Sequence, residues 1–496
     1  MISSALSPDR DSERIRMEAL HPADWENPKP AEQYDLVVVG AGPGGATAAY
    51  EAARLGAKVA LIERNLLGGN CLNTGCIPSK TIIRTSRLYA EMRNAENFGA
   101  KVPGEITVDF TAAMENVRRV RARLARQISA KGLNAMGVDV FFGEASFTGQ
   151  DSIAVDTALL RFKKALIATG GRTTAPSIPG LAAAGYLTNE TIFDLTELPN
   201  RLLVIGGGPT GCELSQAFCR LGSHVTIVQI DPMFLVQEER DAAQILSEAF
   251  ERDGIEIYLN AEIVGVRVQG MSKLVDFVQE GIKITVPADA ILVAAGQTPN
   301  VETLNLEAAG VDYDAQAGIR VNDFSQTTNS DIYAAGDVCA KPRLMHFEPE
   351  SSRLAVHNAL RSARKRVSAL TVPWCTYTDP EIAHVGIYVR EAREKNIPVK
   401  TFTVPMHDVH RAICDAEEEG FAKIHVREGT DRILGATIVA RHAGEMINDM
   451  TLAIQSGIGL RELGSVIRPY PTQAAAIQMA ANACILGKNS SRRRTP

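Results

Sequence analysis

The chain has 496 residues, 45% hydrophobic and 22% charged, with a net charge of −6, the balance of a globular protein too long for one core. A negative charge of that size argues against nucleic acid or an anionic membrane as partner. No run approaches the roughly eighteen apolar residues of a membrane span. Eight cysteines, scattered apart from one close pair, point to a reducing compartment and not to a disulfide scaffold, so a cytoplasmic location is expected.

In chain order, residues 1–33 are polar, contain Pro22, Pro28 and Pro30 and show no hydrophobic period. They read as a mobile or surface-laid arm. Met1 to Arg16 lacks the apolar stretch of a signal peptide. The pattern then changes: Asp35–Val39 is a buried-strand run, Gly40–Gly45 a tight loop, Ala46–Leu55 an Ala-rich helix and Lys58–Glu63 a second strand. This is a βαβ unit. In Gly40-x-Gly42-x-x-Gly45 the glycines admit a pyrophosphate against the helix N-terminus, and Glu63 is placed to accept from ribose hydroxyls. A dinucleotide site is predicted here.

Cys71-Leu-Asn-Thr-Gly-Cys76 follows, flanked by Gly68, Gly69 and Gly75 and leading into Ile77-Pro-Ser-Lys80. A zinc site would need a second Cys/His pair at ligand spacing, and none appears. The pair reads as a redox dithiol that exchanges two electrons with a bound flavin.

A helical stretch near 80–132 and a β-rich piece at 137–170 are predicted next. The βαβ plan then recurs: Arg201–Ile205 as strand, Gly206-x-Gly208-x-x-Gly211 as loop, Cys212–Leu221 as helix and His224–Gln229 as strand. Two adenine dinucleotides are therefore expected. Gln229 holds the acid position; it neither repels a 2′-phosphate as a carboxylate would nor attracts one as Arg would. With Ile230 and Val236 apolar and no Arg in the turn, the reading leans to NADH over NADPH. Asp331–Ala335 is strand-like and runs into Gly336-Asp337, and from Pro373 onward strands and helices alternate as an α+β tail. The expected fold class is thus α/β with an α+β C-terminal domain, containing two Rossmann-like dinucleotide-binding domains. Ser490–Pro496 reads as a basic, solvated end.

Gly-Gly-Asn-Cys71-Leu-Asn-Thr-Gly-Cys76-Ile-Pro-Ser-Lys80 resembles the signature of the class I pyridine nucleotide-disulfide oxidoreductases, and Ala294-Ala-Gly296, Ala168-Thr169-Gly170-Gly-Arg172 and Ala334-Ala-Gly336-Asp337 resemble further motifs of that family. The resemblance covers about 34–485. Between a polar arm (1–33) and a basic tail (489–496) read from composition, it implies an FAD-binding domain in two segments (34–182 and 304–371), an NAD(P)-binding domain (183–303) and a dimerisation domain (372–488). It also implies a homodimer with a shared active site. FAD would be held by Gly40, Gly42, Gly45, Glu63, Gly69, Thr169, Gly170, Gly336 and Asp337. Asp337 would bond the ribityl chain, and Lys80, paired with Glu213, would lie near the isoalloxazine. Gly206, Gly208, Gly211, Gln229 and Gly296 would serve the nicotinamide dinucleotide. Cys76 would face the flavin as thiolate and Cys71 would meet the substrate.

At the C-terminal end the chain departs from disulfide reductases, where the partner subunit supplies His-Pro-Thr with a Glu five residues on. Here Arg468-Pro-Tyr470-Pro-Thr-Gln-Ala-Ala475 puts Tyr470 at the His position and Ala475 at the Glu position. A phenol of pKa about 10 does not cycle a proton near pH 7 as an imidazole of about 6.5 does, and such a loss costs on the order of 10²–10⁴-fold in rate. Tyrosine here, like the arm motif His21-Pro-Ala-Asp-Trp25-Glu-Asn-Pro28, is similar to the mercuric reductase-like branch. Its soft metal ion needs two thiolates, Cys71 and Cys76 as transient Hg²⁺ ligands, and no acid for a leaving thiol. The chain carries no N-terminal Cys-x-x-Cys module and no adjacent C-terminal Cys pair.

The expected activity is NAD(P)H-dependent reduction of a soft metal ion or another small acceptor. The alternatives are a dihydrolipoamide dehydrogenase or other disulfide reductase, and a flavin-binding redox sensor with negligible turnover. No structural metal site is expected: His346, His407 and His410 have no Cys or acid at ligand spacing. Cys212, Cys219 and Cys484 read as helix core residues, and Arg411 as solvated.

Overall fold

In the computed structural model the described residues are 8–101, 104–339 and 343–492. The first sheet is built where the opening βαβ unit was predicted. Its parallel core runs Val138–Phe142, Val59–Glu63, Tyr34–Val39 and Ala158–Ile167, and the short strand Ile332–Ala334 pairs in parallel with Ala158–Ile167. That last pairing, Ile332 to Ala165 and Ala334 to Ile167, returns the chain to its first layer after a separate excursion. Strands buried on both faces need continuous apolar runs, which Leu36–Val39 and Val59–Ile62 supply.

The excursion is a second parallel sheet ordered Glu256–Tyr258, His224–Val228, Arg201–Ile205 and Ala290–Val293, with an antiparallel three-stranded sheet over 261–288 beside it. The C-terminal part is a five-stranded antiparallel sheet ordered Pro373–Thr376, Glu381–Gly386, Ile433–Ala440, Phe421–Arg427 and Val399–Pro405, covered by the helices Ala443–Ser456 and Ala475–Arg492. The mixed α/β class with an α+β C-terminal part is as expected. No helix among the described residues is long and apolar enough to cross a membrane.

Part of each chain end is helical, which the sequence reading did not anticipate. Residues 8–20 of the arm form a helix, Pro8–Leu20, whose Leu20 is fully buried in the core of the first sheet. Its polarity hid any hydrophobic period. The arm motif that follows lies along the edge strand Val138–Phe142. Trp25 Nε1 donates to Val140 O (3.3 Å), Asn27 Nδ2 donates to Phe142 O (2.7 Å) and Phe142 N donates back to Asn27 Oδ1 (2.8 Å). His21 stacks on the Phe142 ring at 3.9 Å. The arm thus covers a sheet edge whose backbone groups would otherwise be unpaired. At the other end the last helix continues through Arg492, so residues 489–492 prolong it; residues 1–7 of the arm and 493–496 of the basic tail lie outside the described residues.

Candidate functional site

The two glycine loops have the same local cause. A Cβ added at Gly45 would lie 1.8 Å from Gly40 O, and one at Gly211 would lie 2.1 Å from Gly206 O. Only glycine lets each helix pack this close to its strand. In each loop the polar residue ending the next strand ties the turn down. Glu63 Oε2 accepts from Ala41 N (2.8 Å), and Gln229 Oε1 accepts from Gly207 N (2.7 Å). Burial raises the Glu63 carboxyl above its ordinary range, against hydrogen bonds from Ala41 and Asn65 N–H that work the other way. Gln229 has a further partner that the sequence reading missed: its Nε2 donates to Asp231 Oδ2 at 2.6 Å. A carboxylate therefore stands beside the second loop after all, two residues beyond Gln229.

The redox pair sits at the junction of two helices. Cys71 lies in the short helix Gly69–Asn73, and Cys76 opens the helix Cys76–Arg93, whose N-terminal end favours a thiolate. The two thiols are hydrogen-bonded to each other, and that bond splits them. The Cys76 thiol is pulled down to about 7, first by the Cys71 hydrogen bond and then by Lys80, while burial works against it. The Cys71 thiol is pushed far up by the same bond and by burial.

Lys80, one turn along the Cys76–Arg93 helix, reaches across to Glu213 on the helix Pro209–Arg220 (Nζ–Oε2 2.7 Å). Its other neighbour is the Tyr377 ring, 4.6 Å from Nζ. Burial works against the Lys80 charge, but Glu213 and the Cys76 thiolate outweigh it, so its pKa is raised. Glu213 in turn accepts from Tyr377 N at 2.9 Å. One carboxylate thus ties the redox helix, the second nucleotide helix and the C-terminal sheet together.

Behind Cys71, Asn73 is buried and donates to Leu67 O (3.1 Å) and Gly69 O (3.0 Å). It also accepts from Arg16 Nη1 at its side chain (2.8 Å) and from Arg121 Nη1 at its carbonyl (2.9 Å). The arm helix therefore grips the reactive turn directly. The sequence reading gave Asn73 no role, although it stands between the two cysteines.

At the carboxyl ends of the first sheet, Thr169 and Gly170 engage Asn300: Thr169 Oγ1 donates to Asn300 O (2.8 Å), and Asn300 N donates to Gly170 O (3.0 Å). Gly296 accepts from Thr174 N at 2.9 Å. Asp337 follows the returning strand, and its Oδ1 is buried with no hydrogen-bond partner, as is Ser352 Oγ. Burial raises Asp337 to about 6 and the neighbouring Glu348 to about 8. Buried polar atoms without partners, beside a loop that only glycine can form, fit the hydroxyl-rich chain and pyrophosphate of a flavin dinucleotide.

The single chain does not bring Tyr470 into this cluster. It stands 76% exposed on the C-terminal domain, with its hydroxyl 2.9 Å from His410 Nδ1. Cys212 and Cys484 are buried, Arg411 pairs with Asp415 (2.7 Å), and no group of three or more metal-ligating side chains is found among the described residues.

Residues 34–363 match the family described as pyridine nucleotide-disulphide oxidoreductase, and residues 372–481 match its dimerisation domain. Among characterised relatives, a mercuric reductase from Bacillus cereus is 34% identical over 447 residues, covering 90% of this chain and 71% of that protein. A dihydrolipoyl dehydrogenase from Thermus scotoductus is 34% identical over 461 residues, covering 91% and 97%. Among solved structures, the Cu(II) complex of the HOCl-induced flavoprotein disulfide reductase RclA from Escherichia coli superposes with a TM-score of 0.80 at 28% identity, covering 90% of this chain and 98% of that one. LpdA from Mycobacterium tuberculosis gives 0.83 at 28%, covering 92% and 100%.

Proposed function

The chain belongs to the pyridine nucleotide-disulphide oxidoreductases, flavoprotein enzymes that use FAD and NAD(P)H, and on that premise we propose that it reduces a soft, thiophilic metal ion with electrons from NADH. The observation that carries the reading is the split Cys71–Cys76 pair backed by Lys80 and Glu213. Gly40, Gly42, Gly45, Glu63, Gly69, Thr169, Gly170, Gly336 and Asp337 would hold FAD. When bound, FAD supplies two-electron exchange between a nicotinamide and the dithiol. Gly206, Gly208 and Gly211 would cradle the nicotinamide dinucleotide, and the Asp231 carboxylate held by Gln229 disfavours a 2′-phosphate there, which supports NADH.

The chain's own groups do the rest. Lys80 keeps a positive charge beside Cys76, so that sulfur remains a thiolate in the reduced pair. Cys71, the protonated partner, gives up its proton when a soft cation binds both sulfurs, and the charge of the cation replaces the proton. Tyr470 of one subunit would face the Cys71 side of its partner. The relatives include a mercuric reductase and a disulfide reductase solved with Cu(II), which accord with a metal acceptor, and a dihydrolipoyl dehydrogenase as similar as the mercuric reductase.

An anaerobic screen of the purified holoenzyme tests this, offering Hg²⁺, Cu²⁺, lipoamide, glutathione disulfide and quinones with either nicotinamide. Metal ions are expected to be the fastest acceptors and NADH the better donor. Lipoamide turnover faster than that of either metal would replace the proposal with the dihydrolipoyl dehydrogenase reading.

A further inference from the structure

We propose that His410 acts through Tyr470 as a proton relay for the partner subunit's Cys71, so that the acceptors this chain handles include ones that leave as thiols. The inference rests on the reading that Tyr470 faces the partner's redox pair, and it supplies the acid–base group that Tyr470 and Ala475 do not. A phenol alone cannot cycle a proton near neutral pH, but an imidazole can, and one stands 2.9 Å from the Tyr470 hydroxyl. The rings meet edge to face, with centroids 6.1 Å apart. His410 begins the helix His410–Asp415 and Tyr470 lies in the loop before Ala475–Arg492, so the contact spans two separate elements.

The surrounding charges are otherwise engaged. Arg411 pairs with Asp415 (2.7 Å), and His407 lies 3.8 Å from Asp408 on the preceding turn. Glu417 is held by Arg441 (2.9 Å) and Gln473 (2.5 Å), with His442 at 3.7 Å. Nothing in this set takes the place of the phenol at His410 Nδ1. Neutral His410 draws on the Tyr470 hydroxyl proton while Tyr470 takes the proton of Cys71, and the resulting Cys71 thiolate is the attacking group.

With a disulfide RSSR, the Cys71 sulfur bonds to one sulfur as the RS–SR bond breaks, and the electron pair leaves on RS⁻. The proton then returns from His410 through Tyr470 to give RSH. The balance is Cys71–SH plus RSSR giving Cys71–S–SR plus RSH. With a metal ion carried as M(SR)₂, the Cys71 sulfur replaces one thiolate on the metal, no electrons change hands in that step, and the same proton leaves with RSH. The shared chemistry is a departing thiolate, and the two sources are separable.

The test is rapid mixing of the reduced holoenzyme with glutathione disulfide in one arm and with glutathione-bound Hg²⁺ in the other. His410→Gln keeps a hydrogen-bonding group but cannot cycle a proton, and it should slow the acceptor step by roughly 10²-fold. In His410→Ala, free imidazoles should restore the rate in order of their basicity, a response that a merely structural role would not give. Rescue in either arm supports the relay and identifies the source of the thiolate. Rescue in neither arm, or wild-type rates in His410→Gln, overturns it while leaving the metal-reductase reading in place. A wild-type enzyme that oxidises with neither acceptor would overturn both.

Discussion

Lys80 and Glu213 lie 133 residues apart in the chain and meet at 2.7 Å beside the Cys76 sulfur. The pair sets the charge felt by that sulfur, since Lys80 lowers its pKa and Glu213 raises it. Lys80→Met should therefore raise the Cys76 thiol from about 7 towards the ordinary thiol range. The measurement is the thiolate–flavin charge-transfer absorbance of the two-electron-reduced holoenzyme at pH 7. An undiminished band in the variant would mean that the Cys71 hydrogen bond alone holds the thiolate.

The sign of the pH dependence follows from the lowered Cys76 value. A folded-state pKa of about 7, below that of an ordinary thiol, means that the thiolate and the stability it contributes to the reduced protein are fully present above the unfolded thiol value. Both are lost as pH falls through 7. The charge-transfer band should fade over the same interval, and Cys76→Ser should lack it at every pH while retaining flavin.

Asn73 connects the arm helix to the reactive turn. Asn73→Ala removes the Arg16 contact and leaves the Leu67 and Gly69 carbonyls without their amide donor, while Arg121 keeps the backbone carbonyl, at a cost of about 1–3 kcal/mol for buried groups left unpaired. A lower melting temperature is expected, together with faster alkylation of Cys71 in the reduced enzyme. Unchanged alkylation would show that the turn is held without the arm.

For nicotinamide choice, Asp231→Asn should tighten 2′,5′-ADP several-fold while leaving 5′-AMP nearly unaffected, because only the 2′-phosphate would meet the removed charge. Calorimetric titration of both ligands reads this directly. Equal changes for the two would remove Asp231 from the specificity argument.

The twin loops permit a separation of the two cofactors. Gly211→Ala places a methyl against Gly206 O and should abolish flavin reduction by NADH in a protein that still contains FAD. Gly45→Ala places one against Gly40 O and should yield protein depleted of flavin. Retained NADH-driven flavin reduction in Gly211→Ala would contradict the assignment of that loop.

Much of this molecule could be read before folding, because its cause is local. A buried run, a glycine turn and an Ala-rich helix within thirty residues specify a nucleotide loop through short-range sterics, and two thiols five residues apart can meet without help from elsewhere. What depends on contacts between distant segments was invisible. The Pro8–Leu20 helix is too polar to show a period; it has meaning only against Asn73. The Asp231 carboxylate acts through Gln229. His410 lies sixty residues before Tyr470, and sequence spacing says nothing about which ring will face it across two packed elements. Local sequence pattern determined the two glycine loops and the close dithiol. Tertiary packing decided which charges and protons surround its sulfurs, since side chains on separate elements are brought within hydrogen-bonding distance only by the burial that assembles those elements.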